Sequence, residues 1–115
     1  MRIVDSNNRI KLDELSKMAE DMFGDLVKAV VDVARDIMIV DAELHADEEA
    51  LLIAHGSGQT NLWGVNLYPA LEGNDFVEFD SMINLRPSRG NRSRGVEDPA
   101  IREIIRRIVN NLVIR

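Results

Sequence analysis

The sequence has no cysteine, only three prolines and 4% aromatic residues. The absence of cysteine excludes disulfides, cysteine-ligated zinc and thiol catalysis. No apolar run approaches the roughly 18 residues that a membrane span requires, and the N-terminus does not resemble a signal peptide. We therefore expect a soluble, cytoplasmic protein with no membrane partner. Its 115 residues predict a single domain over 1–115.

The charged residues are unevenly distributed along a chain whose net charge is −6. Residues 1–80 hold six basic and 17 acidic side chains, whereas residues 81–115 hold eight basic and three acidic ones. Eleven of the 14 basic residues are arginines, whose planar guanidinium groups suit specific pairing better than diffuse charge. The basic end therefore suits either a polyanionic partner or the protein's own acidic body.

Hydrophobic periodicity and turn residues predict an α+β fold. The β-branched residues between 26 and 44 favour a β-hairpin over a helix. Trp63 is predicted to lie in the core, and Gly64 to allow another element to pack closely. The predicted elements are a helix over 12–23, the hairpin, a short helix over 46–54, antiparallel strands over 61–68 and 76–85, and a helix from Asp98 to about 113. They form a four-stranded, mainly antiparallel sheet with N-terminal, short middle and C-terminal helices, covered by helices on one face.

One loop is unusually rich in arginine. We call residues 86–95 (RPSRGNRSRG) the Arg loop. Its glycines let the backbone approach a ligand, so the loop is a candidate anion-binding site. An equally good interpretation is that its arginines clamp acidic residues such as Asp80, Glu97 or Asp98. The candidate anion contacts are Arg86, Arg89, Asn91, Arg92, Ser93 and Arg94.

A second group of polar residues lies at the start of the middle helix. Asp41, Glu43, His45 and Asp47 could supply oxygen and imidazole ligands to a divalent ion. Alternatively, Asp47, Glu48 and Glu49 are the acidic residues expected in the first turn of any helix, where they interact favourably with its dipole. This second interpretation is the stronger one, and the sequence predicts no metal site and no cofactor.

The two groups together contain the residue types of a metal-independent phosphodiesterase. In such an enzyme a histidine and a carboxylate exchange protons while arginine stabilises charge on the phosphorus centre. His45 and Glu43 are the candidate catalytic pair, with Glu78 or Asp80 as alternative carboxylates.

Several segments resemble a small prokaryotic family of about this length, a domain of unknown function. They are residues 27–33 (VKAVVDV), 43–47 (ELHAD), 51–52 (LL), 62–69 (LWGVNLYP), 78–88 (EFDSMINLRPS) and 90–94 (GNRSR). The resemblance covers most of the chain but implies no reaction, ligand or catalytic residue. The family pattern has Gln at the position of Arg89, which favours Arg92 and Arg94 over Arg89 as ligand contacts.

Three functions are therefore expected in order of preference. The first is an anion-binding module that uses the Arg loop to contact nucleic acid or another phosphate-bearing ligand. The second is a metal-independent phosphodiesterase or ribonuclease. The third is a structural or homodimerising domain in which the Arg loop is an internal clamp or an interface.

Overall fold

The computed structural model describes all residues, Met1–Arg115. It is an α+β structure with three α-helices and a mainly antiparallel sheet. In chain order the elements are β1 (Arg2–Val4), β2 (Ile10–Lys11), α1 (Leu12–Asp21), β3 (Val27–Asp32), β4 (Ile37–Val40), α2 (His45–Ala54), β5 (Leu62–Leu67), β6 (Val77–Glu78), α3 (Pro99–Leu112) and β7 (Val113–Ile114).

The central hairpin, β3–β4, confirms the prediction for residues 26–44. Its strands pair antiparallel from Ala29 opposite Val40 to Asp32 opposite Ile37. The buried Asp32 carboxylate holds the turn, because its Oδ1 accepts hydrogen bonds from the backbone N–H groups of Ala34 (2.9 Å) and Arg35 (3.1 Å). Local hydrogen bonding by aspartate is the usual reason that it favours turns.

The main sheet has five strands in the order β1-β4-β3-β5-β6, so the predicted count of four was wrong. The additional strand is β1, which pairs antiparallel with β4 from Arg2 opposite Val40 to Val4 opposite Met38. Only three residues long, it gives too short an alternation to be recognised in the sequence. A separate two-stranded parallel pair, β2 and β7, joins the segment before α1 to the end of α3.

Helices cover both faces of the sheet, which corrects the expectation that they cover only one. Ala29 and Val31 belong to the larger core, which includes residues of α1 and α3. Val30, between them in β3, contacts a smaller cluster that contains Leu52 of α2. Because successive residues of a strand point to opposite faces, the continuous apolar run of β3 reflects burial on both sides.

The predicted strand over 76–85 was wrong beyond Glu78. After β6 the chain turns into a 3₁₀ segment, Met82–Asn84, in which the Ser81 hydroxyl accepts a hydrogen bond from the N–H of Ile83. The Asn84 side chain then bonds to β5 as a neighbouring strand would. Its Oδ1 accepts a hydrogen bond from the N–H of Gly64 and its Nδ2 donates one to the C=O of Gly64, each at 2.9 Å. A Cβ on Gly64 would lie 2.5 Å from the Cβ of Ser81, which confirms the expected close packing.

The helices agree with the predicted ones apart from their ends. α1 ends at Asp21 rather than residue 23, and Gly24 follows with a φ of +96° and an N–H bonded to Ala19 O. Asp98 caps α3 by accepting a hydrogen bond from the N–H of Ala100 (2.9 Å), and Pro99 is its first residue. No helix has the length and apolar character needed to cross a membrane.

Candidate functional site

The Arg loop has a defined backbone conformation. Backbone hydrogen bonds join Arg86 to Asn91 in both directions, at 2.8 and 3.2 Å. Between them, Pro87–Arg89 forms a 3₁₀ turn that ends at Gly90, whose φ is +84°. A positive φ strains any residue with a Cβ, so glycine is required at this position. The backbone hydrogen bonds of the protein itself therefore define the conformation of the loop, without a ligand.

Asn91 is the centre of this loop. Its side chain is 5% exposed, and its Nδ2 donates to the carbonyl oxygens of Asn84 (2.8 Å) and Gly95 (2.8 Å) and, less closely, of Ser93 (3.2 Å). Its Oδ1 accepts from the N–H of Glu97 (2.9 Å). Asn91 was predicted to contact an anion, but these bonds leave its amide no free donor for a ligand.

Arg86 points into the protein rather than towards solvent. Its Nη2 donates to Leu62 O and lies 3.7 Å from Glu49 Oε2, and its guanidinium stacks on Trp63 at 4.8 Å from the ring centroid. Only 12% of the side chain is exposed, and burial lowers the pKa of Arg86 while Glu49 opposes that shift. The buried Nη1 has no hydrogen-bond partner. Arg86 thus connects the loop to β5 and α2, and its partners differ from Asp80, Glu97 and Asp98, the acidic residues named for an internal clamp.

The remaining predicted contacts lie at the outer side of the loop. Arg94 Nε donates to Asp80 Oδ1 at 2.6 Å, and Ser93 Oγ accepts from the N–H of Gly95 at 3.2 Å. Arg89 and Arg92 are exposed, and neither guanidinium has a hydrogen bond or an ion pair. These two arginines are the loop's free cationic groups.

Two adjacent cavities flank the loop. One has a volume of about 230 Å³ and the other about 310 Å³, and both are lined by Thr60, Arg86 and Arg89. Trp63 contributes to the smaller cavity, and Ser88 to the larger one. Arg89 therefore lies where the two cavities meet. This position was not visible in the sequence, because Thr60 precedes β5 and is distant from the loop along the chain.

His45, the predicted catalytic histidine, is the first residue of α2 and is 8% exposed. Its Nε2 lies 2.8 Å from Val65 O, so the neutral ring donates its Nε2 proton and keeps Nδ1 as the acceptor. Burial lowers the pKa of His45, and the charges of Lys28 and Arg94 add to this effect while Asp80 opposes it. The imidazole is accordingly neutral near pH 7.

The structure does not bring the two predicted catalytic residues into contact. Glu43 is exposed before α2 and forms no hydrogen bond with His45. The alternative carboxylate, Asp80, lies close enough to act on the pKa of His45 and is bonded to Arg94. The charges of a carboxylate and an arginine thus act on the histidine, although neither side chain is bonded to it. No group of three or more His, Asp or Glu residues is arranged to hold a metal ion.

A row of polar side chains beside His45 was not anticipated. Lys28, Asn66 and Glu78 stand opposite one another on β3, β5 and β6. Glu78 Oε1 accepts hydrogen bonds from Asn66 Nδ2 (2.8 Å) and from the Tyr68 hydroxyl (3.0 Å). Burial and the neighbouring Glu78 raise the pKa of Tyr68. These three residues are neighbours only because of the register in which β3, β5 and β6 pair, and the sequence of each strand alone does not give that register.

Glu48 is the most unusual titratable group. It is fully buried between α2 and the sheet, and neither carboxylate oxygen has a hydrogen-bond partner. Burial raises the pKa of Glu48 to about 10, although the charges of Lys28 and the N-terminal amino group and a weak backbone interaction with Ala42 act in the opposite direction. The side chain is therefore protonated at neutral pH. The sequence predicted Glu48 to lie with Asp47 and Glu49 in the first turn of the helix, and it gave no sign that Glu48 is buried.

Comparison with known proteins identifies a family but no activity. No curated protein and no solved structure matches the chain. Residues 3–112 match the model of a family described as a protein of unknown function, DUF5674. This match spans nearly every element of the fold, from β1 to the end of α3. The chain therefore belongs to the DUF5674 family.

Proposed function

We propose that the protein is a binding module for phosphate-bearing ligands, in particular single-stranded nucleic acid, and that the outer arginines of the Arg loop make the contacts. One observation carries this proposal. Arg89 lines both cavities of the loop together with Thr60, and its guanidinium has no partner in the protein. Guanidinium groups bind phosphate oxygens in a two-pronged geometry, and a nearby hydroxyl can complete the contact.

The proposed contacts are to phosphates rather than to bases. Trp63 is 7% exposed and its ring is covered by Arg86, so it offers no free face on which a base could stack. Arg89 and Arg92, in contrast, are exposed. Binding through phosphates depends strongly on salt and weakly on sequence, because it releases counterions and reads no base edges.

Fluorescence anisotropy with a labelled short single-stranded RNA tests this proposal. Two phosphate contacts, from Arg89 and Arg92, predict a slope of about −1.4 in a plot of log K against log salt, whereas four contacts predict about −2.8. The double variant Arg89→Gln/Arg92→Gln should lose this binding and keep its fold. Arg107→Gln is the matched control, since it removes an exposed arginine from α3 outside the loop.

Two results would contradict the proposal. One is measurable RNA affinity with a salt slope near zero, which would exclude the electrostatic contacts. The other is RNA affinity that the double variant retains in full, which would locate the binding elsewhere. A slope near −1.4 combined with loss in the double variant supports the loop as the site.

A second function is favoured by the grouping of His45, Asp80 and Arg94. If the bound strand is RNA and is cleaved, neutral His45 is suited to accept at Nδ1 the proton of the ribose 2′-hydroxyl, whose oxygen bonds to phosphorus while the bond to the 5′-oxygen breaks and that oxygen takes a proton from water. Arg94 is suited to stabilise the negative charge on the phosphate. A metal-independent phosphodiesterase would cleave RNA in the presence of a chelator. His45→Ala should abolish that cleavage, and persistent cleavage in a purified His45→Ala preparation would remove this candidate.

The third function, a structural or homodimerising domain, is favoured by the inward contacts of Arg86. A clamp made by Arg86 is compatible with ligand binding by Arg89 and Arg92, because the Arg86 side chain is 12% exposed and bonded within the protein, whereas those of Arg89 and Arg92 are exposed and unpaired. Sedimentation velocity tests whether the outer arginines instead form a dimer interface. A dimer that dissociates in Arg89→Gln/Arg92→Gln, together with no RNA binding by the wild type, would favour an interface over a nucleic-acid site.

A further inference from the structure

A separate cavity lies where the β1–β2 turn and the β3–β4 turn approach α3. Its volume is about 500 Å³, which falls within the usual range for small-molecule sites. Five charged side chains line it, and no ion pair joins any two of them. They are Asp5, Arg9, Arg35, Asp36 and Arg107.

Arg35 is held in place by a chain of hydrogen bonds. Its Nη1 donates to His55 O and Ser57 Oγ, each at 3.1 Å. Ser57 Oγ in turn donates to Oδ2 of the buried Asp32 at 2.7 Å. These bonds use only one of the guanidinium nitrogens, so Nε and Nη2 of Arg35 have no partner. Such prior ordering lowers the entropic cost of binding a ligand.

The other two arginines of the cavity carry no fixed partner. The guanidinium groups of Arg9 and Arg107 form no hydrogen bond or ion pair, and both side chains are exposed. Three guanidinium groups around one cavity repel one another, and the two aspartates of the lining offset only two of the three positive charges, so an added anion is favourable there. A phosphate group fits this requirement, because arginine recognises it with two parallel hydrogen bonds.

The carboxylates restrict the ligand further. Asp5 and Asp36 would repel a ligand that carries only negative charge, but each can accept hydrogen bonds from hydroxyl groups. Ser6 and Asn111 add polar groups to the same lining. We propose that this cavity binds a phosphorylated polyol, with the arginines on the phosphate and the aspartates on the hydroxyls. Sugar phosphates and nucleotides share this chemistry. The proposal does not depend on the Arg loop.

Isothermal titration calorimetry with ribose 5-phosphate, AMP, ribose and inorganic phosphate tests the ligand class. We expect saturable binding of ribose 5-phosphate or AMP, no binding of ribose, and weaker binding of inorganic phosphate. Equal affinity for the first two supports a sugar-phosphate site, and a clear preference for AMP supports a nucleotide site. Failure of both to bind overturns the proposal, as does inorganic phosphate binding as tightly as ribose 5-phosphate.

Two variants locate the site. Arg107→Gln should weaken ribose 5-phosphate or AMP about tenfold, equivalent to about 1.4 kcal/mol. Asp36→Asn should weaken the same ligand while strengthening inorganic phosphate, since it removes a negative charge. Asparagine tolerates the φ of +55° at this position, so the turn should survive.

Arg92→Gln serves as the matched control, since Arg92 lies in the Arg loop and outside this cavity. It should leave ribose 5-phosphate binding unchanged and reduce RNA binding, whereas Arg107→Gln should do the reverse. Failure of the Arg loop proposal and failure of this one are thereby distinguishable. Wild-type affinity for ribose 5-phosphate and AMP in both Arg107→Gln and Arg9→Gln would overturn the assignment of the site.

Discussion

Asn91 and Glu48 are both buried polar side chains, but their surroundings are opposite. In the Arg loop, the Asn91 amide bonds to three carbonyl oxygens and one backbone N–H. Between α2 and the sheet, neither oxygen of Glu48 forms a hydrogen bond of good geometry, and only a weak backbone interaction with Ala42 favours its charge. Burial of a polar group is unfavourable unless hydrogen bonds replace those to water. We therefore conclude that Asn91 stabilises the loop, whereas burial of Glu48 lowers stability at the contact between α2 and the sheet.

Removing Asn91 should have the largest effect. Asn91→Ala leaves the carbonyl oxygens of Asn84 and Gly95 and the N–H of Glu97 without their partner. We expect a loss of roughly 3 kcal/mol in the free energy of unfolding, measured by urea denaturation. Asn74→Ala is the control, because Asn74 is exposed. Equal stabilities of the two variants would show that Asn91 does not hold the loop.

Replacing Glu48 should have the opposite sign. At pH 7 Glu48 is protonated in the folded protein and ionised in the unfolded chain. Its contribution to the free energy of unfolding is therefore greatest below about pH 4.5 and falls as the pH rises towards about 10. Glu48→Gln removes this titration and should stabilise the protein by roughly 2 kcal/mol at pH 7, with little effect near pH 4.5.

Denaturation across this pH range, with Glu43→Gln as an exposed control from the same segment, measures the difference. A difference between Glu48→Gln and the wild type that stays constant from pH 5 to pH 9 would contradict a raised pKa at Glu48. A loss of stability at pH 7 would mean that the carboxyl group has partners that the amide cannot replace.

Two arginines of the same loop provide a smaller contrast. Arg86→Met removes the bond to Leu62 O, the stacking on Trp63 and the ion pair with Glu49, but it also removes a buried charge. These effects partly cancel, so we expect a loss of about 1 to 2 kcal/mol. Arg89→Met removes no contact within the protein and should change stability by less than about 0.5 kcal/mol. Similar losses in both would contradict the division of the loop into inner and outer arginines.

The sequence allowed most of the fold to be predicted but only part of the site. The hairpin was predictable because β3 and β4 consist largely of β-branched residues, and α3 because Asp98 and Pro99 mark its start. The end of β6 was not predictable, because the alternation continues past Glu78 while Asn84 replaces the strand by a side-chain contact with Gly64. Local pattern carries no information about such a long-range substitution.

The same limit applies to the candidate site. The sequence shows that the Arg loop is rich in arginine. It does not show that Arg86 points inward, because the partners of Arg86 are Glu49, Leu62 and Trp63, which lie far away in the chain. The unpartnered state of Glu48 also depends on packing between α2 and the sheet. Neither its residue type nor its position in the helix distinguished the buried Glu48 from its acidic neighbours.

The smallest expected effect on stability belongs to Arg94. Its ion pair with Asp80 is exposed, with 54% and 45% of the two side chains accessible, and such pairs contribute less than about 1 kcal/mol. Arg94→Gln should therefore leave stability nearly unchanged.

The same variant, Arg94→Gln, should nevertheless raise the pKa of His45, because the positive charge of Arg94 lowers that pKa while Asp80 acts in the opposite direction. An NMR titration that follows both histidines measures this shift, with exposed His55 as the internal reference. An unchanged His45 titration would mean that Arg94 does not act on the imidazole, and the grouping that favours a phosphodiesterase would lose its arginine.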